Sequence, residues 1–329
     1  MKEFFKQLLG FFLFLLGFAL AIQLVIDWRI RHKVVSGVDT LDYMEGEDNE
    51  LVFLGSSRCY AEFDPALFEK ALGVHAANLG VDGHSELTMQ LLRLENYLAK
   101  HPAPRVAILA FDPMVSAGSL DNNQNMYCKN QFARYALWSS RENEPIVHYF
   151  HFGLLERYLP LYALLKYKMF NICATVPDDK TWRRDRYERH DEHWDTLSHP
   201  IGPGATITSL YFADADTSLE KALIQMDSLC ASHQIRLACV QVPMYQAAYI
   251  KQKFAFTAAI CSRLHIPFFD LCTPELDSDI NNFYNINHCN STGVAKMTRV
   301  LLADPAFGKL FESVRPDRTP GIPDVTRKE

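Results

Sequence analysis

No basic excess, no paired cysteines and little glycine occur in this 329-residue chain, and each shortage removes a class of function. With 33 lysines and arginines against 39 aspartates and glutamates, the formal net charge is −6. That leaves no electrostatic footprint for a nucleic acid, and no Lys/Arg stripe compensates. The eight cysteines form no Cys-x-x-Cys pair, so neither a zinc knuckle nor a disulfide framework can be read. Most are expected in the interior as small hydrophobes. Glycine numbers only 15. No P-loop occurs, and Gly55 lacks glycine partners two and five residues on, so no dinucleotide fingerprint follows the first strand and no cofactor is expected.

Long hydrophobic runs are also scarce, with one exception. From Leu8 to Ile26 the only strongly polar side chain is Gln23. About 19 helical residues at ~1.5 Å each nearly match the hydrocarbon thickness of a bilayer. Residues 1–33 therefore read as an N-terminal transmembrane anchor with its flanks. A cleaved signal peptide competes, because Ala19-Leu20-Ala21 resembles a cleavage site, yet the apolar stretch continues past it to Ile26. Lys2 and Lys6 precede the span while Arg29, Arg31 and Lys33 follow it, which by charge alone slightly favours a cytoplasmic body.

The remainder, 48% hydrophobic over the whole chain, suffices for one large core. Apolar runs at Leu51–Leu54, Val74–Leu79, Arg105–Phe111, Ile235–Val242 and Ile266–Leu271 read as strands. Helices are expected over Asp64–Leu72, Ser85–Lys100, Ser218–His233, Ala247–Leu264 and Ser291–Leu302. The alternation predicts an α/β fold, a three-layer α/β/α sandwich with a mostly parallel sheet, and ligands beyond the carboxyl ends of its strands. Ser57, Gly80 and Asp112 fall at that edge.

Between about 114 and 216 the alternation lapses for longer than any ordinary connection, which predicts a large insertion in an α/β domain of residues 34–314. Within it, the aromatic and leucine-rich stretch from Tyr149 to Phe170 can pack on the core, a membrane face or a partner. His190, Asp191, Glu192, His193, Asp195 and His199 carry ligand-type side chains without the i, i+4 histidine pairing of a helical metal site. The default there is a solvated loop, and no metal is assigned. Residues 315–329, with Pro316, Pro320 and Pro323, read as a disordered tail.

Chemistry is suggested by Gly55-Ser56-Ser57-Arg58 at the end of the first strand and Asn285-Ile286-Asn287-His288 far downstream. A serine hydroxyl needs a base within hydrogen-bond reach, and the base needs a third group to fix its tautomer. Ser57, His288 and Asn285 can fill these roles, with Asn290 or Ser291 capping the helix after the histidine. Arg58 either steers an anionic group or pairs with a carboxylate inside the fold.

Gly55-Ser56-Ser57, Asn78-Leu79-Gly80-Val81-Asp82-Gly83 and the late histidine resemble blocks one, two and five of the SGNH/GDSL hydrolase superfamily. The likeness spans roughly Leu51 to Leu302 outside the insertion. With its anchor and insertion the chain is similar to membrane-tethered, cell-envelope members, including the D-alanyl transfer protein of teichoic acid D-alanylation and SGNH-like partners of membrane-bound O-acyltransferases. The resemblance implies Ser57 as nucleophile and His288 as base. It also implies an oxyanion hole from the N–H groups of Gly80 and of the residue after Ser57.

Two positions depart from the pattern. The aspartate three residues before the histidine is Asn285, so another acid is needed or activity is weakened; Asp270, Asp277 and Asp279 are candidates. Block three, which supplies an asparagine donor, reads Ala110-Phe111-Asp112-Pro113, and an ionised carboxylate cannot donate. Asn122, Asn123 and Asn125 lie just downstream. The implied activity is a serine esterase or O-acyltransferase acting on an envelope polysaccharide or acylated polymer. A membrane-bound O-acyltransferase is a possible partner, and the single-pass body is extracytoplasmic on the resemblance. The alternative is a degraded scaffold that keeps the fold to bind glycan or dock such an acyltransferase.

Overall fold

The computed structural model describes residues 1–32, 48–81, 83, 86–111, 129–169, 217–246 and 255–312. Five strands, β1 (Leu51–Leu54), β2 (Ala76–Asn78), β3 (Val106–Phe111), β4 (Arg236–Gln241) and β5 (Phe268–Asp270), form one sheet in the order β2-β1-β3-β4-β5. All four ladders are parallel, with Leu51 opposite both Ala76 and Val106. Every residue of β1 and β3 is buried, as continuous apolar runs covered on both faces require.

The strands are shorter than the apolar runs that announce them. Their flanks still bond in parallel fashion: the N–H groups of Leu79, Val81 and Val242 donate to Phe53, Gly55 and Phe111 at 2.8 Å each. Pairing thus carries past the strand ends toward the carboxyl edge. The chain steps from β1 to β2 on one side and then to β3 on the other, so the topological switch, where such sheets bind ligands, lies beside the end of β1.

The helices among the described residues are α1 (Lys2–His32), which precedes the sheet, and α2 (Ser57–Glu62), α3 (Pro65–Leu72), α4 (Leu87–Leu98), α5 (Glu144–Tyr149), α6 (Leu154–Tyr158), α7 (Tyr162–Lys166), α8 (Thr217–Ser232), α9 (Phe256–Arg263), α10 (Pro274–Asp277), α11 (Ser291–Ala303) and α12 (Pro305–Lys309). Local chemistry sets their ends. Asp64 caps α3 through the N–H of Ala66 with Pro65 in the first turn, and Gly73 ends it in the left-handed region. The helix expected over Ala247–Leu264 is described only from Phe256 onward.

Side chains alternate across β1. Val52 and Leu54 join Leu94, Tyr97, Leu223, Met226 and Ile260 of α4, α8 and α9 on one face. Leu51 and Phe53 join Phe68, Met297, Leu301 and Phe307 of α3, α11 and α12 on the other. The three-layer α/β sandwich is therefore as the alternation predicts.

The described part of the insertion, residues 129–169, begins with a 3₁₀ segment (Lys129–Tyr135) and continues through α5, α6 and α7. Phe132, Tyr149, Phe150, Phe152 and Leu164 form a third cluster with Met89 and Leu92 of α4 and Ile26 of α1. Leu154, Leu155, Tyr158 and Leu165 are exposed. One aromatic-rich stretch thus divides between core packing and surface. The tail beyond residue 312 and the His190–His199 cluster lie outside the described residues.

Candidate active site

At the end of β1 the chain turns on Gly55, whose φ is +156°. A Cβ there would stand 2.6 Å from Cys59 Cβ, so only glycine lets the chain fold back this closely. Ser56 then caps a helix, its Oγ accepting from the Arg58 N–H at 3.2 Å. Ser57, half-buried, is the first residue of α2. The sequence suggests only a small-residue turn here; the structure gives a six-residue helix with Ser57 at its start.

Gly80 packs its backbone against that helix, because an added Cβ would lie 2.5 Å from the Tyr60 nitrogen. Its N–H, expected in an oxyanion hole, donates instead to Asn78 Oδ1 at 2.9 Å. The same Asn78 side chain donates to the carbonyls of Cys59 and Phe63 at 2.8 Å each, which clamps α2 to the end of β2. The N–H after Ser57, that of Arg58, is the one used by the Ser56 cap. Both expected main-chain donors are thus engaged within the fold. By helix geometry the N–H groups of Ser57 and Cys59 at this start have no intrahelical acceptor either.

His288 lies in a tight loop before α11. Phe283 and Cys289 form an antiparallel bridge, the Tyr284 N–H donates to the His288 carbonyl at 2.8 Å, and Asn290 caps α11 at Gly293. Asn285 was expected to orient the imidazole. Its Oδ1 instead accepts from the main-chain N–H groups of Asn287 and His288 at 2.8 and 2.9 Å, so its carbonyl is spent shaping the loop.

The carboxylate beside the ring is Glu62, the last residue of α2. Its Oε1 lies 3.5 Å from His288 Nδ1 and accepts from the Cys289 N–H at 3.4 Å. Glu62 is wholly buried, whereas the His288 side chain is 18% exposed. Of the acids considered from sequence, Asp270 accepts from the Cys272 N–H, Asp279 pairs with Lys296 at 3.1 Å, and Asp277 is buried at the end of α10. Sequence reading missed Glu62. Its signal was the Arg58/Glu62 spacing of four, at which helical ion pairs form.

Glu62 ends the six-residue helix that Ser57 begins. The structure thus brings His288 against the helix that Ser57 begins.

Arg58 is not available to substrate. It is 2% exposed, its Nε lies 3.7 Å from Glu62 Oε1, and its guanidinium donates to the carbonyls of Val242 and Pro243. Of the two roles open from sequence it takes the internal one, joining α2 to the end of β4. Asp112, Asn122, Asn123 and Asn125 lie outside the described residues. Among the described residues, no group of three histidines, cysteines or acids is placed to hold a metal.

Cys59 and Cys289 flank Glu62. Burial, and then the Glu62 charge, pushes both thiols well above their ordinary range. Neither is a nucleophile at neutral pH.

No protein-family model matches the chain, and no curated protein matches it. Among solved structures, it is similar to a protein of Bacteroides fragilis NCTC 9343 described as a "putative acylhydrolase", with 12% identity and a TM-score of 0.38 over 80% of this chain and 90% of that one. At that TM-score the likeness adds nothing about chemistry, which rests on the residues above.

Proposed function

We propose that the chain is a membrane-anchored serine esterase or O-acyltransferase that forms an acyl-serine at Ser57. The observation that carries this reading is the wholly buried Glu62 at 3.5 Å from His288 Nδ1, on the helix that starts at Ser57. An acid beside Nδ1 favours the tautomer that keeps the proton on that nitrogen and leaves Nε2 to take a hydroxyl proton.

In the proposed reaction Ser57 Oγ attacks the ester carbonyl as His288 Nε2 takes its proton. Collapse of the tetrahedral species breaks the ester C–O bond, and the leaving alcohol receives that proton. Water or a sugar hydroxyl then attacks the acyl-serine, its proton passes to Nε2, and Oγ is reprotonated as it leaves. Hydrolysis and transfer differ only in the second acceptor. The proposed substrate is an O-acylated envelope polysaccharide or polymer, with α1 as the anchor and the body outside the cytoplasm. A helix long and apolar enough to cross a membrane supports the anchor; the extracytoplasmic side follows from the sequence resemblance.

A second reading is favoured by one observation. The N–H groups of Gly80 and Arg58 already have acceptors, as expected of a scaffold that keeps the fold and binds glycan or a membrane acyltransferase without catalysis. Turnover of p-nitrophenyl acetate by the detergent-solubilised full chain separates the two. The enzyme reading expects turnover that disappears in Ser57→Ala and in His288→Ala. Turnover unchanged in folded Ser57→Ala, or none in the folded native chain, contradicts it.

A further inference from the structure

Gln23 has no place in a purely apolar span, and the structure gives it a partner. It is 2% exposed, and its Oε1 accepts from the main-chain N–H of Leu161 at 3.0 Å, while its Nε2 donates to Asp27 at 3.4 Å. Ile26 packs into the insertion's cluster, with Ile22 and Leu161 against it. Leu161 itself adopts the left-handed region, with φ 64°, at the junction of α6 and α7. The anchor helix is therefore not a tether on a loose linker: it is seated on the insertion.

That seat fixes depth. Gln23 lies three residues before the end of the apolar run, or about 4.5 Å of helical rise. The α6–α7 junction therefore stands level with the last apolar turn of the span. Trp28, exposed just beyond, has the amphipathic ring favoured at headgroup level.

On the elements flanking that junction, the apolar side chains left outside the core are consecutive or one turn apart. Leu154, Leu155 and Tyr158 share a face of α6, Leu159 ends it, and Leu165 lies on α7, with exposures from 40% for Leu159 to 76% for Leu154. Solvated short helices do not spend leucines this way. Apolar side chains clustered against the end of a membrane span do, because the headgroup and acyl boundary accepts them to about 5–10 Å.

We infer that α6 and α7 form a monotopic membrane face: Leu154, Leu155, Tyr158, Leu159 and Leu165 enter the lipid boundary beside α1, and the Gln23–Leu161 hydrogen bond sets their depth. The occupant is lipid, and the inference rests on the proposal that α1 spans the bilayer. The consequence is a body held in one orientation, with the sheet's carboxyl edge at a fixed attitude to the membrane.

The test uses the full chain in vesicles of phosphatidylethanolamine and phosphatidylglycerol, with the photoreactive residue benzoylphenylalanine at Leu155, at Leu165, or at Val300 on the far face of the sandwich. Irradiation and peptide mass spectrometry read the adducts, and alkaline carbonate extraction reads membrane integration separately. Expected are lipid adducts at 155 and 165, none above background at 300, and a chain that resists carbonate. A carbonate-resistant chain with no lipid adduct at 155 and 165, or with equal adduct at 300, overturns the membrane face and leaves the anchor standing. Chain-to-chain adducts at 155 and 165 overturn it in favour of self-association. A chain released by carbonate removes the anchor and the inference together.

Discussion

Replacing Glu62 by glutamine tests the assignment of the acid and separates its two tasks. With Glu62 Oε1 at 3.5 Å from His288 Nδ1, an effective dielectric near 20 gives about 5 kcal/mol of attraction once the ring is protonated. That corresponds to roughly three and a half decades in rate. The Arg58 guanidinium, 3.7 Å from the same oxygen, opposes part of that stabilisation. A loss of about 10²- to 10³-fold in kcat, with KM little changed, is therefore expected, below the ~10⁴ known for loss of the acid in a trypsin-type triad.

The substitution also leaves Arg58 buried beside a neutral amide. Breaking a buried ion pair costs about 3–5 kcal/mol, a large share of a typical domain's stability. The assay is p-nitrophenyl acetate turnover at low temperature on protein whose far-ultraviolet circular dichroism matches the parent, with a urea melt run in parallel. A folded Glu62→Gln protein with parental kcat would remove Glu62 from the site.

Asn285→Asp should leave turnover within about threefold, because a carboxylate still accepts both loop N–H groups and the ring's partner lies elsewhere. A rise of an order of magnitude would return the orienting role to position 285. Gly80→Ala places a Cβ 2.5 Å from the Tyr60 nitrogen and should cost about 1–3 kcal/mol or more by forcing α2 off the sheet edge, read as a lower urea midpoint. Burial raises the thiols of Cys59, Cys239 and Cys289 well above their ordinary range and that of Cys230 to about 12. Folded and unfolded chains both hold these protons below about pH 8.5, so the contribution is intact there. Above it the unfolded chain loses them first, and stability should fall by about 1.4 kcal/mol per pH unit per thiol. A urea midpoint unchanged between pH 8 and pH 10 would contradict this.

The sheet was legible because a parallel strand covered on both faces must be apolar throughout, as Val106–Phe111 is. Strand ends were less so, since residues such as Leu79 and Val242 keep a main-chain bond after the regular ladder stops. Helix α2 was hidden by its shortness and by a Gly-Ser-Ser start that reads equally as a turn. Glu62 went unseen for a related reason: its partner His288 is close only through the fold, and a pattern that puts the acid three residues before the histidine points to Asn285. There the asparagine side chain is taken up by two N–H groups of its own loop. Gln23 was visible as an anomaly in an apolar run, but its acceptor role required Leu161 to be brought alongside.

The most direct measurement is where a fluorophosphonate attaches. One phosphonate per chain is expected, mapped by peptide mass spectrometry to Ser57, absent in His288→Ala and slowed in Glu62→Gln. A folded native chain that takes no label, or takes it on a residue other than Ser57, would contradict the claim that Ser57, His288 and Glu62 act as one site.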